Sequence, residues 1–211
     1  MSTAPAPAPK GEETPPAPGV LYELTTILEP FAWDRLFPVA RPVEVELGSG
    51  DGSFLLQAAQ ERPDHNFVGV ERLLGRIRKV DRKGRRMGLD NLRAVRIEAA
   101  YCLEYLLPAA SVEALHIYFP DPWPKAKHQR HRLVQPAFPG LARRVLVPGG
   151  RVYLRTDDEA YFTQMLQVFG AHPGYREVPT PAALARWITD FEREFLAAHR
   201  TIHRAAYERS E

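Results

Sequence analysis

The run Val43-Glu44-Val45-Glu46-Leu47 passes directly into Gly48-Ser49-Gly50-Asp51-Gly52, and a helical stretch with Phe54, Leu55, Leu56, Ala58 and Ala59 follows. Strand, glycine turn and helix in that order point to an α/β fold in which the turn faces a ligand, an ordinary turn being the alternative. Gly48, Gly50 and Gly52 let the backbone turn sharply and approach a bound group that a Cβ would obstruct. The spacing is G-x-G-x-G, with Ser53 where the dinucleotide fingerprint G-x-G-x-x-G has its last glycine, so NAD is the second cofactor reading.

The same alternation continues. Phe67–Glu71 reads as a second strand, a basic helical stretch runs through Arg86, and Leu92–Ile97 and Val112–Phe119 read as the third and fourth strands. A helix between Val134 and Leu146 is confined mainly to its later part by Pro136 and Pro139, and Pro148-Gly149-Gly150 feeds a fifth strand, Arg151–Arg155. This pattern predicts an α/β fold, a mainly parallel, doubly wound sheet with helices on both faces. Tyr161–Phe169 reads as a covering helix, Tyr175–Val178 as a further strand, and Ala182–Tyr207 as one or two amphipathic helices. Leu21–Arg41 carries apolar side chains for the first layer of a domain, whereas the Pro/Ala-rich residues 1–19 read as a disordered arm, leaving 20–211 as one domain.

Hydrophobic residues make up 45% of the 211, enough for a core of that size, and 28 Lys+Arg against 26 Asp+Glu give a net charge of only +2. Charge distribution therefore says more about partners than the sum. One cysteine, Cys102, excludes an internal disulfide framework and a Cys-rich metal site, and reads as a modest apolar residue. No apolar run approaches the roughly 20 residues that span a bilayer and no secretory leader opens the chain, so the expectation is a cytoplasmic protein without a membrane partner.

Glu71 ends the second strand 19 positions after Gly52, where a carboxylate accepts hydrogen bonds from ribose hydroxyls. Glu46, just before the turn, faces an ammonium or a backbone donor, and Glu98, just past the third strand, is placed to meet an adenine amino group. Solvated or ion-paired edge carboxylates are the alternative for all three. Tyr118-Phe119-Pro120-Asp121-Pro122-Trp123-Pro124 is the least ordinary segment: its prolines stiffen the backbone, Asp121 is set at a strand's C-terminal end, and Trp123 can stack on a base. Lys125, Lys127, His128, Arg130, His131 and Arg132 follow without an intervening acid and suit phosphate oxygens. A second positive region spans Arg72 to Arg86, relieved only by Asp81, and offers a polyanion surface. His128 and His131 lack a third ligand for zinc, and no G-x-S-x-G nucleophile arrangement is present.

Taken together, the chain resembles the bacterial tRNA (guanine-N7)-methyltransferases, which are Rossmann-like class I methyltransferases using S-adenosylmethionine. The resemblance rests on Phe119-Pro120-Asp121-Pro122-Trp123-Pro124-Lys125 with its basic tail, on Glu46 to Gly52, on Gly69-Val70-Glu71, on Pro148-Gly149-Gly150 leading to Thr156-Asp157 and Tyr161, and on Thr189-Asp190-Phe191-Glu192. It covers Leu21 to Tyr207. It implies that Glu46, Glu71, Glu98 and Asp121 are cofactor-site acids, that Lys125, Asp157, Thr189 and Glu192 meet the substrate, and that Lys127 to Arg132 contact RNA. It further implies methylation of N7 of guanosine 46 in the tRNA variable region with release of S-adenosylhomocysteine, Asp121 orienting the reacting groups or stabilising positive charge, and no metal or obligate protein partner. Two departures stand out: Glu98 replaces the usual Asp or Asn, and His199 stands where the family has glycine. Monomer and homodimer both remain open, and an NAD-dependent oxidoreductase and a noncatalytic RNA-binding protein are the competing readings.

Overall fold

The computed structural model describes residues 19–211, so the arm expected over residues 1–19 lies, Gly19 apart, outside the described residues. Eight strands, β1 (Leu21–Tyr22), β2 (Val43–Leu47), β3 (Asn66–Glu71), β4 (Leu92–Arg96), β5 (Val112–Tyr118), β6 (Leu146–Thr156), β7 (Tyr175–Val178) and β8 (His203–Arg209), form one sheet in the order β1-β4-β3-β2-β5-β6-β8-β7. The first six are parallel to one another, while β8 runs antiparallel to both β6 and β7. Successive strands move outward in opposite directions from β2 and β5, which makes their C-terminal ends the switch point where an open α/β sheet holds its ligand.

Side-chain alternation explains the two-sided core. Val43, Val45 and Leu47 of β2 join Val68, Val70, Leu115 and Ile117 on one face, beneath α5 (Phe138–Val145) and α6 (Glu159–Gly170). On the other face, Phe54 and Leu55 of α2 (Ser53–Glu61) and Ile77 and Val80 of α3 (Leu74–Arg86) pack on Phe67 and Leu92 of the sheet. Each wholly buried side chain of this kind contributes about 1.5–3 kcal/mol. Short helices α1 (Trp33–Leu36) and α4 (Ala99–Tyr101) cover the first face, and α4 continues into a wide helical turn at Cys102–Leu106. Burial pushes the Cys102 thiol far up, which leaves it an inert core residue.

Two sequence expectations need correction. The fifth strand is longer than Arg151–Arg155: Pro148-Gly149-Gly150 is absorbed within β6 as an irregularity opposite Val112–Ala114. The stretch Ala182–Tyr207 holds one short 3₁₀ turn (Ala182–Arg186), one helix, α7 (Asp190–Ala197), and then most of β8. Ala205 and Tyr207 face one core and Ala206 the other, and Tyr207 stacks on Phe169 with ring centroids 4.5 Å apart. That two-residue period decides for strand over helix.

His199 closes α7 in the left-handed region at φ 56°, with its N–H donating to the Leu196 carbonyl and that of Arg200 to Phe195 at 2.9 Å. This is the two-bond helix stop usually made by glycine, so the backbone follows the glycine path at a conformational cost. Gly52 shows the reverse requirement: φ is 74° and an added Cβ would stand 2.8 Å from Val80 Cγ2. In chemical denaturation, His199→Gly is expected to raise stability by about 1 kcal/mol and Gly52→Ala to lower it by about 1–3 kcal/mol.

Candidate functional site

The turn after β2 is fastened to β3 by three bonds. The Gly48 and Ser49 N–H groups donate to the Val70 carbonyl at 2.9 Å, and the Gly50 N–H donates to Glu71 Oε2 at 3.1 Å. Glu71 Oε1 accepts from the Leu73 N–H at 2.8 Å. A carboxylate oxygen accepts more than one hydrogen bond, so Glu71 is fixed in direction and retains lone pairs for a ligand hydroxyl. Glu46 is buried on the same edge, and its Oε2 has no partner among the described residues. Burial, reinforced by Glu71 and opposed by Arg155, raises its carboxyl well above the usual range.

Deeper in the same face, Glu44 Oε2 and His116 Nε2 are 2.8 Å apart, and His116 Nδ1 lies 2.8 Å from the Tyr118 hydroxyl. Burial holds the His116 pKa below its ordinary value, and a neutral ring protonated at Nε2 satisfies both neighbours. The Arg62 guanidinium binds Glu44 from the other side at 2.6 Å. The one metal-like grouping among the described residues, Glu44, His65 and Glu113, belongs to this neighbourhood and lines neither cavity described below.

Beyond β5 the chain makes a stiff loop with Phe119 at φ 51° and Trp123 at φ 44°. The Phe119 N–H donates to the Arg155 carbonyl at 2.8 Å, and Arg132 Nε donates to the Pro122 carbonyl at 2.7 Å. Arg132 also reaches Gln164 Oε1 at 2.7 Å and lies 4.7 Å over the Tyr161 ring. It is buried on the wall of the large cavity described below, and its donors hold the Asp121 loop to α6, a structural duty that the sequence did not show beside the expected RNA contact. Trp123 stands at the surface with His128 and His131 beside its ring. Lys125, Lys127 and Arg130 are exposed.

Glu71, Glu98, Asp121, Asp157 and Arg130 line one cavity of about 910 Å³ together with Gly48 and Arg72. A smaller recess of about 180 Å³, lined by Glu46, Gly50 and Thr189, shares Gly48, Arg76, Tyr118 and Phe191 with it. Glu98 caps α4, accepting from the Tyr101 N–H at 2.7 Å through one oxygen. Asp157 Oδ2 is paired with Arg200 at 2.5 Å. Gly52, Lys125, Lys127 and His128 line neither space.

Glu192 does not face the cavity. It is 1% exposed, one oxygen binds Arg155 Nη1 at 2.9 Å, and the other binds Arg204. The expected substrate contact through its carboxylate is thereby corrected: both oxygens are committed to arginines. Thr189 caps α7 by accepting from the Glu192 N–H at 3.0 Å, and remains on the wall of the recess. Arg155, which sequence reasoning missed, is itself 1% exposed, lies 4.1 Å over the Tyr118 ring and donates to the Trp187 and Leu184 carbonyls. An arginine inside an apolar strand was its one legible signal.

A family model described as "Putative methyltransferase" matches residues 40–205. The chain is 40% identical over 148 residues to a tRNA (guanine-N(7)-)-methyltransferase of Chromohalobacter salexigens, covering 70% of this chain and 60% of that protein. It is 41% identical over 165 residues to the protein of the same description from Leifsonia xyli subsp. xyli, covering 76% of this chain and 73% of that one. It therefore spans less than two thirds of the first relative's length and nearly three quarters of the second's. Among solved structures, the 30S ribosomal A1408 methyltransferase from an uncultured bacterium superposes with a TM-score of 0.61 at 16% identity, covering 84% of this chain and 91% of that one, a likeness of fold. On the strength of these sequence matches, the chain belongs to the tRNA (guanine-N(7)-)-methyltransferase family.

Proposed function

We propose that this protein transfers a methyl group from S-adenosylmethionine to N7 of a guanine in tRNA, at guanosine 46 of the variable region, and acts in the cytoplasm. The observation that carries the reading is a single cavity at the switch point into which acids from β3, the Asp121 loop and the end of β6 all project, with Arg130 on its wall. The residues present suit the cofactor: Glu46 has an orphaned buried oxygen beside the glycine turn for an ammonium, and Glu71 has a fixed carboxylate for ribose hydroxyls. S-adenosylmethionine held by Glu46 and Glu71 would supply an electrophilic methyl group on positively charged sulfur, with S-adenosylhomocysteine as the product.

Guanine N7 presents a lone pair and has no proton to lose. The protein's share of the reaction is therefore alignment and electrostatics, with no obligatory general base. Asp121 orients the reacting groups and stabilises the positive charge that passes to the base. Asp157 accepts the guanine N1–H and N2–H hydrogens once Arg200 yields them an oxygen. Thr189 contributes from the recess, Glu98 acts at the adenine end, and Lys125, Lys127 and His128 take RNA phosphates outside the cavity, with Arg130 doing so from its wall. No helix among the described residues is long and apolar enough to cross a membrane.

Labelled S-adenosylmethionine incubated with unmodified tRNA is expected to mark N7 of that one guanosine; hydride transfer with NAD, or tRNA binding without methyl incorporation, contradicts the reading. Asp121→Ala is expected to lower kcat/KM by about 10²-fold or more while the melting curve is kept. Lys127→Gln with Arg130→Gln raises the KM for tRNA without loss of stability, whereas Arg132→Ala lowers both stability and turnover. Because Glu46 is held protonated by burial and a cation favours its ionised form, cofactor binding should release a proton and weaken as pH falls through the raised pKa. Calorimetry in buffers of different ionisation heat reads that proton, and Glu46→Gln should abolish it.

A further inference from the structure

Residues 72–86 carry eight Lys and Arg and one acid in a chain whose net charge is only +2. The structure shows how few of these charges are satisfied. Lys79 pairs with Asp51 at 3.1 Å, Arg85 with Asp81 at 2.9 Å, and Arg76 approaches Glu71 at 4.0 Å. Asp81 is further engaged by the Leu21 N–H at 2.8 Å. Arg72, Arg78, Arg82, Lys83 and Arg86 form no ion pair among the described residues, and all but the half-buried Lys83 are exposed.

This arrangement works against the helix that bears it. Arg78, Arg82 and Arg86 follow one another at i, i+4 along the solvent face of α3, a destabilising spacing for like charges. The first turn of α3 contains no acid to complement the helix dipole. Lys83, Arg85 and Arg86 in the last turn complement the dipole, but the repulsion along the exposed row is relieved by no ion pair to Arg78, Arg82 or Arg86 among the described residues, which points to a partner that supplies one. The row extends from the cavity wall, where Arg72 and Arg76 stand, along 13 residues or roughly 20 Å of helix.

We propose that the solvent face of α3, through Arg78, Arg82 and Arg86, is a second phosphate-binding surface for the tRNA, gripping backbone flanking the target while Lys127 and Arg130 hold it on the opposite side of the cavity. The inference rests on the methyltransferase reading above. RNA is favoured over an anionic membrane because the apolar side of α3, Ile77, Val80 and Gly84, is buried against the sheet and has nothing to insert into lipid. Arginine, which outnumbers lysine six to two over residues 72–86, also suits bidentate phosphate contact.

The test is the triple variant Arg78→Gln, Arg82→Gln, Arg86→Gln in the full chain. tRNA binding is measured across a salt series, alongside methyl transfer, cofactor affinity and melting temperature. The slope of log affinity against log salt should fall in magnitude by about 2, and KM for tRNA should rise about tenfold at 0.15 M salt. Cofactor affinity and kcat at saturating tRNA should stay unchanged, with melting temperature equal or higher because repulsion is relieved. The corresponding Arg→Lys triple variant should restore most of the slope. An unchanged slope in a protein whose parent methylates tRNA overturns this surface and leaves the methyltransferase reading intact. A parent without methyl transfer overturns that reading, while the separately measured binding slope still judges the surface. Binding of phosphatidylserine vesicles that the substitutions abolish, with tRNA affinity untouched, assigns α3 to a membrane and overturns the proposal.

Discussion

A guanidinium sealed inside a sheet is tolerable only while something negative is held against it, and Arg155 has Glu192. Breaking such a buried pair from one side costs about 3–5 kcal/mol, because the remaining charge cannot reach water. The pairing joins β6 to the start of α7, and the Trp187 and Leu184 carbonyls bind the same guanidinium, so the segment from Leu184 to Glu192 is drawn over the C-terminal edge of the sheet. Thr189 and Phe191 reach the recess because of this attachment. The second wall of the site is thus fixed by electrostatics within the core, and the ligand does not have to assemble it.

The sheet divides its labour between faces. Beneath α5 and α6 the core is almost wholly apolar, whereas the face under α2 and α3 carries Glu44, Glu46, His116, Tyr118 and Arg155 among its aromatics. Alternation in β2, β5 and β6 places these polar groups on one side. Away from the cavity they satisfy one another, as Glu44, His116 and Tyr118 do. Toward the cavity the pairing runs out at Glu46. Incomplete satisfaction is thus concentrated at the edge, on Glu46 Oε2.

Much of this was legible in the sequence. The strand-turn-helix at Val43 to Ala59, the later parallel strands and the stiff loop around Asp121 all follow from local composition, and they place the acids at one edge. Local patterns could not show which charges would be spent on the fold. Arg132 resembles its neighbours Arg130 and Lys127 in the chain, but its guanidinium turns inward to Pro122 and Gln164. Glu192 lies in a motif-like segment, yet both its oxygens belong to arginines 37 and 12 residues away. β8 was hidden because Ala205 and Ala206 are small enough to suit either period, and its partner Phe169 lies far upstream. In each case the deciding contact is long-range.

The position of β8 also has a bearing on how the molecule is made. It is inserted between β6 and β7, although both of those strands precede it in the chain. A ribosome must therefore deliver both flanking strands before the one that bridges them exists. Until then β6, the strand that carries Arg155, presents a bare rim of unpaired peptide groups, the kind of rim that invites association with another nascent copy. Arg204, which closes the charge cluster on Glu192, emerges with that last strand. The strand that fills the gap between β6 and β7 is thus also the one that brings Glu192 its second, more exposed arginine.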